Sequence, residues 1–433
     1  MIGVVFFFFR SINNSHLPHY RYYLPNFFVK VCFAVAFAVT YIVYYKGGDT
    51  IAYYSGAVTL DNLLIKSPAL YLDQILSTPT YNNWFHFDHN TGYPPGWIYR
   101  EPEGYFVCKI MSVLGLISFK SYLAMTLIVT LFTTGATWKL YEFVRSLNIV
   151  NDRYLAYAIL FIPSVNFWCG GISKDSLIMI SLIYVVIGIF NFILDNHKPS
   201  ISSTLAMIVG MFVIYHIRSF ILISVLVPAL IAFSSKAIRY FGGSDTTVII
   251  IRSLVLITGV VIMGSTILNT SESDFVESNS SIKEASIIQK DFVNNKAYGT
   301  KRYDLGNVEF SPIGLIQLAP IAILTGLYRP LIWEAGSPTL IMNGLESILF
   351  LFFTIRFLFS GRLREKMRLI RLNELLLFCF IFAVIIAFMT GLTSGLYGVL
   401  VRLRAPALPF FFLLLTLDFN TGRKLDTKSQ SSL

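Results

Sequence analysis

Residues 374–392, ELLLFCFIFAVIIAFMTGL, carry one charge at their start and none afterwards. About 20 consecutive apolar residues suffice to cross a hydrocarbon core of about 30 Å as a helix, so this stretch reads as a membrane span. Working outward from it, apolar runs bounded by charge give ten candidate spans, at about 27–45, 121–141, 154–169, 176–194, 201–217, 219–235, 248–268, 338–359, 374–392 and 405–419. The run IGLIQLAPIAILTGL at 313–327 is shorter and has Pro320 in its middle, the pattern of a re-entrant or interfacial helix. The predicted fold is therefore all-α: a polytopic transmembrane helix bundle of about ten spans plus interfacial or re-entrant helices, forming a single integral membrane domain over 1–433.

Composition points the same way. Of 433 residues, 55% are hydrophobic and only 13% charged, against about 25% charged in a soluble domain. A soluble enzyme, a DNA-binding domain and a disordered chain are excluded. The net charge of +10 arises from 34 Lys and Arg against 24 Asp and Glu. These basic residues cluster between apolar runs, so topology explains them and nucleic acid is not an expected partner. Cys32, Cys108, Cys169 and Cys379 lie in or beside apolar stretches without CxxC spacing, which indicates neither a zinc site nor a disulfide framework. The first nine residues are apolar, but Arg10 follows without a small-residue cleavage site, so they read as an interfacial lead-in.

Orientation follows from the Lys/Arg bias of short loops. With the N-terminus inside, the inner segments collect Arg10, Arg21, Lys30, Lys139, Arg145, Arg153, Lys198, Lys236, Arg239, Arg423, Lys424, Lys428 and the run RLREKMRLIR at 362–371. That run lands inside only if 313–327 does not cross, so both termini are expected to be cytoplasmic. Two long outer segments remain, at 46–120 and 269–337, with short outer turns at 170–175, 217–219 and 393–404. The first outer segment is rich in Tyr, Trp, Pro and Asn and reads as ordered, with 106–118 in the interface; the second opens on the polar stretch 269–296.

The short outer turns hold basic residues that the positive-inside rule does not ask for: Lys174, Arg218, Arg402 and Arg404. Each can snorkel to headgroup phosphate; together on one side they suit a functional anion site. In FIPSVNFWCGGISKDSL (161–177), Ser173 can cap a helix whose first amides and the Lys174 ammonium face the same space, a setting for an anionic oxygen. Asp175 beside it suits the helix dipole. In YYKGGDTIAYY (44–54), Asp49 follows the first span on the outer side, placed to take a proton from an acceptor hydroxyl or simply to cap the helix after it. In LYRPLIWEAGSP (327–338), Arg329 offers a planar fork for phosphate, Trp333 a stacking face for sugar and Glu334 a possible base; an Arg329–Glu334 ion pair holding the turn is the plainer reading. His86, Asp88 and His89 in WFHFDH have metal-capable chemistry, but at weak spacing in an aromatic loop structural or interfacial histidines are the plainer reading; a divalent metal is the alternative, and the residues require no cofactor.

GGDTIAYY, PSVNFWCGGISKDSL, the HIRSF turn, LYRPLIWEA and the terminal VRLRAPALPFFFLLL together resemble bacterial multispan proteins of polysaccharide assembly. These are the GT-C-type glycosyltransferases that use polyprenyl-phosphate sugars and the polysaccharide polymerases of the Wzy/EpsG kind. The resemblance implies an acidic catalytic base in the first outer loop, a position that Asp49 matches. It implies transfer of a sugar or oligosaccharide from a polyprenyl (di)phosphate carrier to a glycan or lipid acceptor at the outer face of a bacterial inner membrane, among membrane lipids. Asp49 or Glu334 would act as base, while Lys174, Arg218, Arg329, Arg402 and Arg404 stabilise charge on the leaving phosphate. The alternative expectation is a transporter or flippase for a lipid-linked glycan that binds the same anion without chemistry.

Overall fold

The computed structural model describes residues 2–194, 199–240, 301–303, 305 and 312–419. Among them the chain is helical without a β-strand; Arg302 and Leu396 make an isolated antiparallel bridge. Seven helices are long and apolar enough to cross a membrane: Pro18–Tyr44, Tyr122–Ser146, Lys174–Ile193, Ile201–Ser234, Pro338–Phe359, Glu374–Thr393 and Tyr397–Leu415. A polytopic membrane protein is thus what sequence and structure agree on. The expected span at 248–268 lies outside the described residues, as do the polar stretch at 269–296 and the cations Lys198, Arg423, Lys424 and Lys428.

In chain order the helices are α1 (Ile2–Asn13), α2 (Tyr23–Val39), α3 (Asp49–Lys66), α4 (Pro68–Leu76), α5 (Tyr81–Trp84), α6 (Gly96–Arg100), α7 (Pro102–Ile117), α8 (Tyr122–Ser146), α9 (Asp152–Leu160) and α10 (Pro163–Trp168). They continue as α11 (Lys174–Ile193), α12 (Ile201–Tyr240), α13 (Pro312–Tyr328), α14 (Pro338–Phe359), α15 (Leu363–Leu372), α16 (Glu374–Thr393), α17 (Tyr397–Arg404) and α18 (Leu408–Leu415).

Two expectations need correction. The run 154–169 is not one span but two short helices, α9 and α10, broken at Phe161 and Ile162. Pro163 has no N–H to donate and drives Ile162 to an extended ψ of 118°, so the helix must restart there. The segment 393–404 is not an outer turn: α17 occupies most of it and runs through a short 3₁₀ link into α18, as one apolar stretch Tyr397–Leu415. The expected turn at 217–219 agrees with a kink at which two helices meet within α12: Arg218 leaves helical geometry there (φ −156°, ψ 87°). At about 1.5 Å per residue, the whole of α12 is about twice as long as one crossing requires.

The Pro320 segment forms α13, packed antiparallel to α16. A Cβ on Gly391 would lie 1.9 Å from the Ala322 carbonyl oxygen, and one on Gly326 would lie 2.1 Å from that of Ala387, so the absent side chains let the two backbones touch. This register places Tyr328, the end of α13, only about halfway along α16. The helix therefore enters the bundle and stops inside it, as a re-entrant element does. Its last carbonyls have no apolar escape and must find a donor.

Connectivity separates two ends of the bundle. α14 runs from the loop carrying Glu334 to Phe359, the basic α15 follows, and α16 returns to Thr393. α8 starts where Tyr122 bonds Thr50 (3.0 Å) and ends where Glu142 meets Arg10 (3.5 Å) and Arg145 meets Asp152 (3.0 Å). Arg10, Arg145, Arg153 and α15 therefore lie away from the end where α3, α11 and α17 begin. The segment 46–120 is ordered, as expected. α3 and α7 pack in parallel there, with Leu60, Tyr105, Cys108 and Met111 fully buried between them and their neighbours, so 106–118 is a packed helix of this layer.

Candidate functional site

At the end opposite α15, the starts of α3, α7 and α11 converge on the break in α12 and on α17. The turn into α3 needs glycine: Gly48 has φ +97°, and a Cβ on it would sit 3.0 Å from the Tyr41 ring. Asp49 follows as the first residue of α3. Its carboxylate does not cap that helix; Oδ2 instead accepts from Arg402 Nη1 at 2.9 Å. Ser173 caps α11 as predicted, its Oγ accepting from Ser176 N at 3.0 Å, and so places Lys174 and Asp175 in the first turn.

Asp175 is the centre of the cluster. It is fully buried, with Oδ1 bonded to Arg218 Nη1 and Oδ2 to Arg402 Nε (3.3 Å). Arg402 thus bridges two carboxylates, Asp49 and Asp175, while its guanidinium carbon stands 5.8 Å from the centre of the Trp168 ring. Lys174, 7% exposed, pairs with Glu101 and with Glu103 (3.4 Å) at the start of α7. Cations and carboxylates alternate from Arg218 through Asp175 and Arg402 to Asp49, and the acids at three helix starts sit where the dipoles favour them. The exposed edge belongs to Asp49 and Glu101, whose side chains are 36% and 41% exposed, whereas those of Arg402 and Lys174 are 20% and 9%.

A second cluster adjoins the first through α17. Arg329 Nε donates to Glu334 Oε1 at 2.8 Å, and its Nη2 bonds both Glu334 and the Tyr397 hydroxyl. Tyr397 in turn donates to Glu334 Oε1 at 2.7 Å, and Leu331 N donates to Oε2 at 2.8 Å. The Arg329 guanidinium also lies 5.5 Å and 5.2 Å from the ring centres of Tyr303 and Tyr397. Burial pushes the Glu334 carboxyl upward, but the bonds from Arg329, Leu331 and Tyr397 outweigh it and hold the group below its ordinary range. The turn-holding ion pair is therefore formed. Trp333 stands outside the cluster, 72% exposed.

Arg404 has a different place from its neighbour Arg402. It is 2% exposed and donates through Nη1 to the carbonyls of Gly326 (3.3 Å), Leu327 (3.0 Å) and Arg329 (2.7 Å), and through Nη2 to Ser347 Oγ (2.9 Å). These are the open carbonyls at the end of α13, so Arg404 caps a helix that stops inside the bundle. His86, Asp88 and His89 point to separate partners: His86 Nδ1 lies 3.3 Å from Gln74, Asp88 pairs with Lys66 at 2.6 Å, and His89 meets the Tyr93 ring edge-on. Among the described residues no three His, Cys, Asp or Glu side chains are grouped to hold a metal ion.

Sequence reasoning passed over several buried ionisable groups. Lys30, counted among the inner flanking cations, is 2% exposed within α2 and donates to Asn166 Oδ1 at 2.7 Å. Glu346 of α14 accepts from Ser164 N at 2.9 Å and from Ser164 Oγ, clamping α10 from its other side. In the layer of α3 and α7, Asp61 is fully buried against Gly115, and neither carboxylate oxygen has a hydrogen-bond partner among the described residues. A charge within an apolar run was the available signal for Lys30 and Glu346; Glu101, in a loop rich in polar residues, gave none. No family model, curated protein or solved structure matches the chain.

Proposed function

We propose that the protein is a membrane glycosyltransferase or polysaccharide polymerase that transfers a sugar or oligosaccharide from a polyprenyl (di)phosphate carrier to a glycan or lipid acceptor. It works at the outer face of a bacterial inner membrane, with both termini cytoplasmic. The observation that carries this reading is the gathering of Asp49 with Arg402, Arg218 and Lys174 at one end of the bundle, away from the basic α15. A lipid-linked donor is amphipathic, so its tail lies among the spans while its phosphate meets cations at their ends.

The acceptor oxygen attacks the anomeric carbon as Asp49 takes its proton. The bond from that carbon to the phosphate oxygen breaks, and its electron pair leaves with the phosphate. Arg402, Arg218 and Lys174 stabilise the charge that collects there. Glu334, held by Arg329, Tyr397 and the Leu331 amide and 16% exposed against 36% for Asp49, is less open to an acceptor hydroxyl, and its cluster serves the glycan or phosphate beside the reacting centre. Arg404 is spent on α13 and takes no direct part. Titrating a polyprenyl-diphosphate sugar into purified protein tests the reading: Arg402→Ala and Arg329→Ala each weaken binding, and Lys restores it poorly where the contact uses two guanidinium nitrogens. Unchanged affinity in both folded variants reduces these arginines to structural ion pairs.

A further inference from the structure

The reaction above contains a conflict that the geometry itself resolves. Asp49 Oδ2 already accepts from Arg402 Nη1 at 2.9 Å, so the oxygen turned toward the anion site is occupied and not open to an acceptor's proton. We propose that Asp175 is a positioning residue that lets Arg402 exchange Asp49 for a donor phosphate, so that Asp49 is released as a base only when donor is bound. The inference rests on the functional reading just given and adds a binding order to it: donor first, acceptor second.

Three observations support the exchange. Arg402 uses different nitrogens for its two carboxylates, Nη1 for Asp49 and Nε for Asp175, so one contact can break while the other holds. Asp175 has no exposure and is also held by Arg218, which makes it the fixed partner, whereas the Asp49 side chain is 36% exposed and is the partner that an incoming anion can displace. The Trp168 ring beneath the guanidinium gives Arg402 a face to turn on without losing its packing. When phosphate takes Nη1, Arg402 keeps a charge partner at Nε, and no buried guanidinium is left alone, a state that would otherwise oppose the exchange. Lys174 is held in the same way by Glu101 and Glu103, whose side chains are 41% and 53% exposed and so are open to the same competition.

The test reads Asp49 directly. Purified full-length protein is treated with a water-soluble carbodiimide and an amine, and modification of Asp49 is followed by mass spectrometry with and without undecaprenyl diphosphate, whose binding is measured separately. The parent protein is expected to show a rise in Asp49 modification of about fivefold or more on binding, the lower end of ordinary site-to-site coupling. Asp175→Asn, which keeps the shape but not the charge, is expected to lose that rise and to bind the diphosphate less well. A purely electrostatic role predicts tighter binding instead, because the variant removes a negative charge. The parent measurement stands even if Asp175→Asn does not fold. Binding with unchanged Asp49 modification overturns the exchange and leaves the functional reading intact; a full rise in Asp175→Asn overturns the role of Asp175; absence of binding to the parent overturns both readings.

Discussion

Arg402 Nη1 lies 2.9 Å from Asp49 Oδ2, an ion pair closed across 353 positions of the chain. It joins α3 to the last apolar stretch, and Asp175 holds the same arginine from a third helix. Residues that three separate helices deliver to one point form the site, and the basic α15 lies at the other end of the bundle.

That separation predicts sidedness. In cells and in inverted vesicles, single cysteines introduced as Arg364→Cys, Asp49→Cys and Glu334→Cys should react with an impermeant thiol reagent from opposite sides, Arg364 from the cytoplasm and the other two from outside. Labelling of all three from one side would overturn the orientation and the placement of the site with it.

Arg404 should behave as a structural residue. Hydrogen bonds to a charged group contribute about 1.5–3 kcal/mol each, and Arg404 makes four to carbonyls and Ser347. Arg404→Gln should lower the unfolding midpoint in detergent markedly, while the fraction that remains folded binds a polyprenyl-diphosphate sugar with the parent affinity. A stable variant with weakened binding would return Arg404 to the anion site.

The divergence of Arg402 and Arg404 shows where the sequence stops being informative. The two residues share one polar interruption in an apolar run, but on a helix with about 3.6 residues per turn they point to nearly opposite sides. One reaches Asp49 and Asp175, the other the end of α13, and which is which depends on helices more than seventy residues away in sequence. Apolar length was legible because a membrane imposes it residue by residue. The break at Phe161 and Ile162 was visible only as Pro163 inside a run otherwise apolar enough to span. Asp175 was seen and read as a dipole partner, since nothing local tells that Arg218 and Arg402 arrive at it.

Asp61 supplies a pH dependence of stability. Burial between α3 and α7 pushes its carboxyl up to about 7, against a downward pull from Lys120. The folded protein therefore keeps a proton that the unfolded chain gives up near pH 4, so this group makes folding less favourable as pH rises from about 4 to 7. Asp61→Asn, which cannot ionise, should raise the unfolding midpoint by several degrees at about pH 7.5 and leave it nearly unchanged at about pH 3, below the unfolded carboxyl's pKa. Equal effects at both pH values would mean that Asp61 is not held neutral in the fold.

The most direct measurement is sugar transfer by purified protein reconstituted in vesicles, supplied with a polyprenyl-diphosphate sugar and acceptor, comparing the parent with Asp49→Asn. Asn preserves the shape and removes the base. The account predicts transfer by the parent and a loss of about 10²-fold or more in the variant, the range for a missing general base, with donor binding retained. Transfer at the parent rate in Asp49→Asn would place the base elsewhere, and a parent protein that moves the lipid-linked glycan between leaflets without transferring it would contradict the enzyme reading itself.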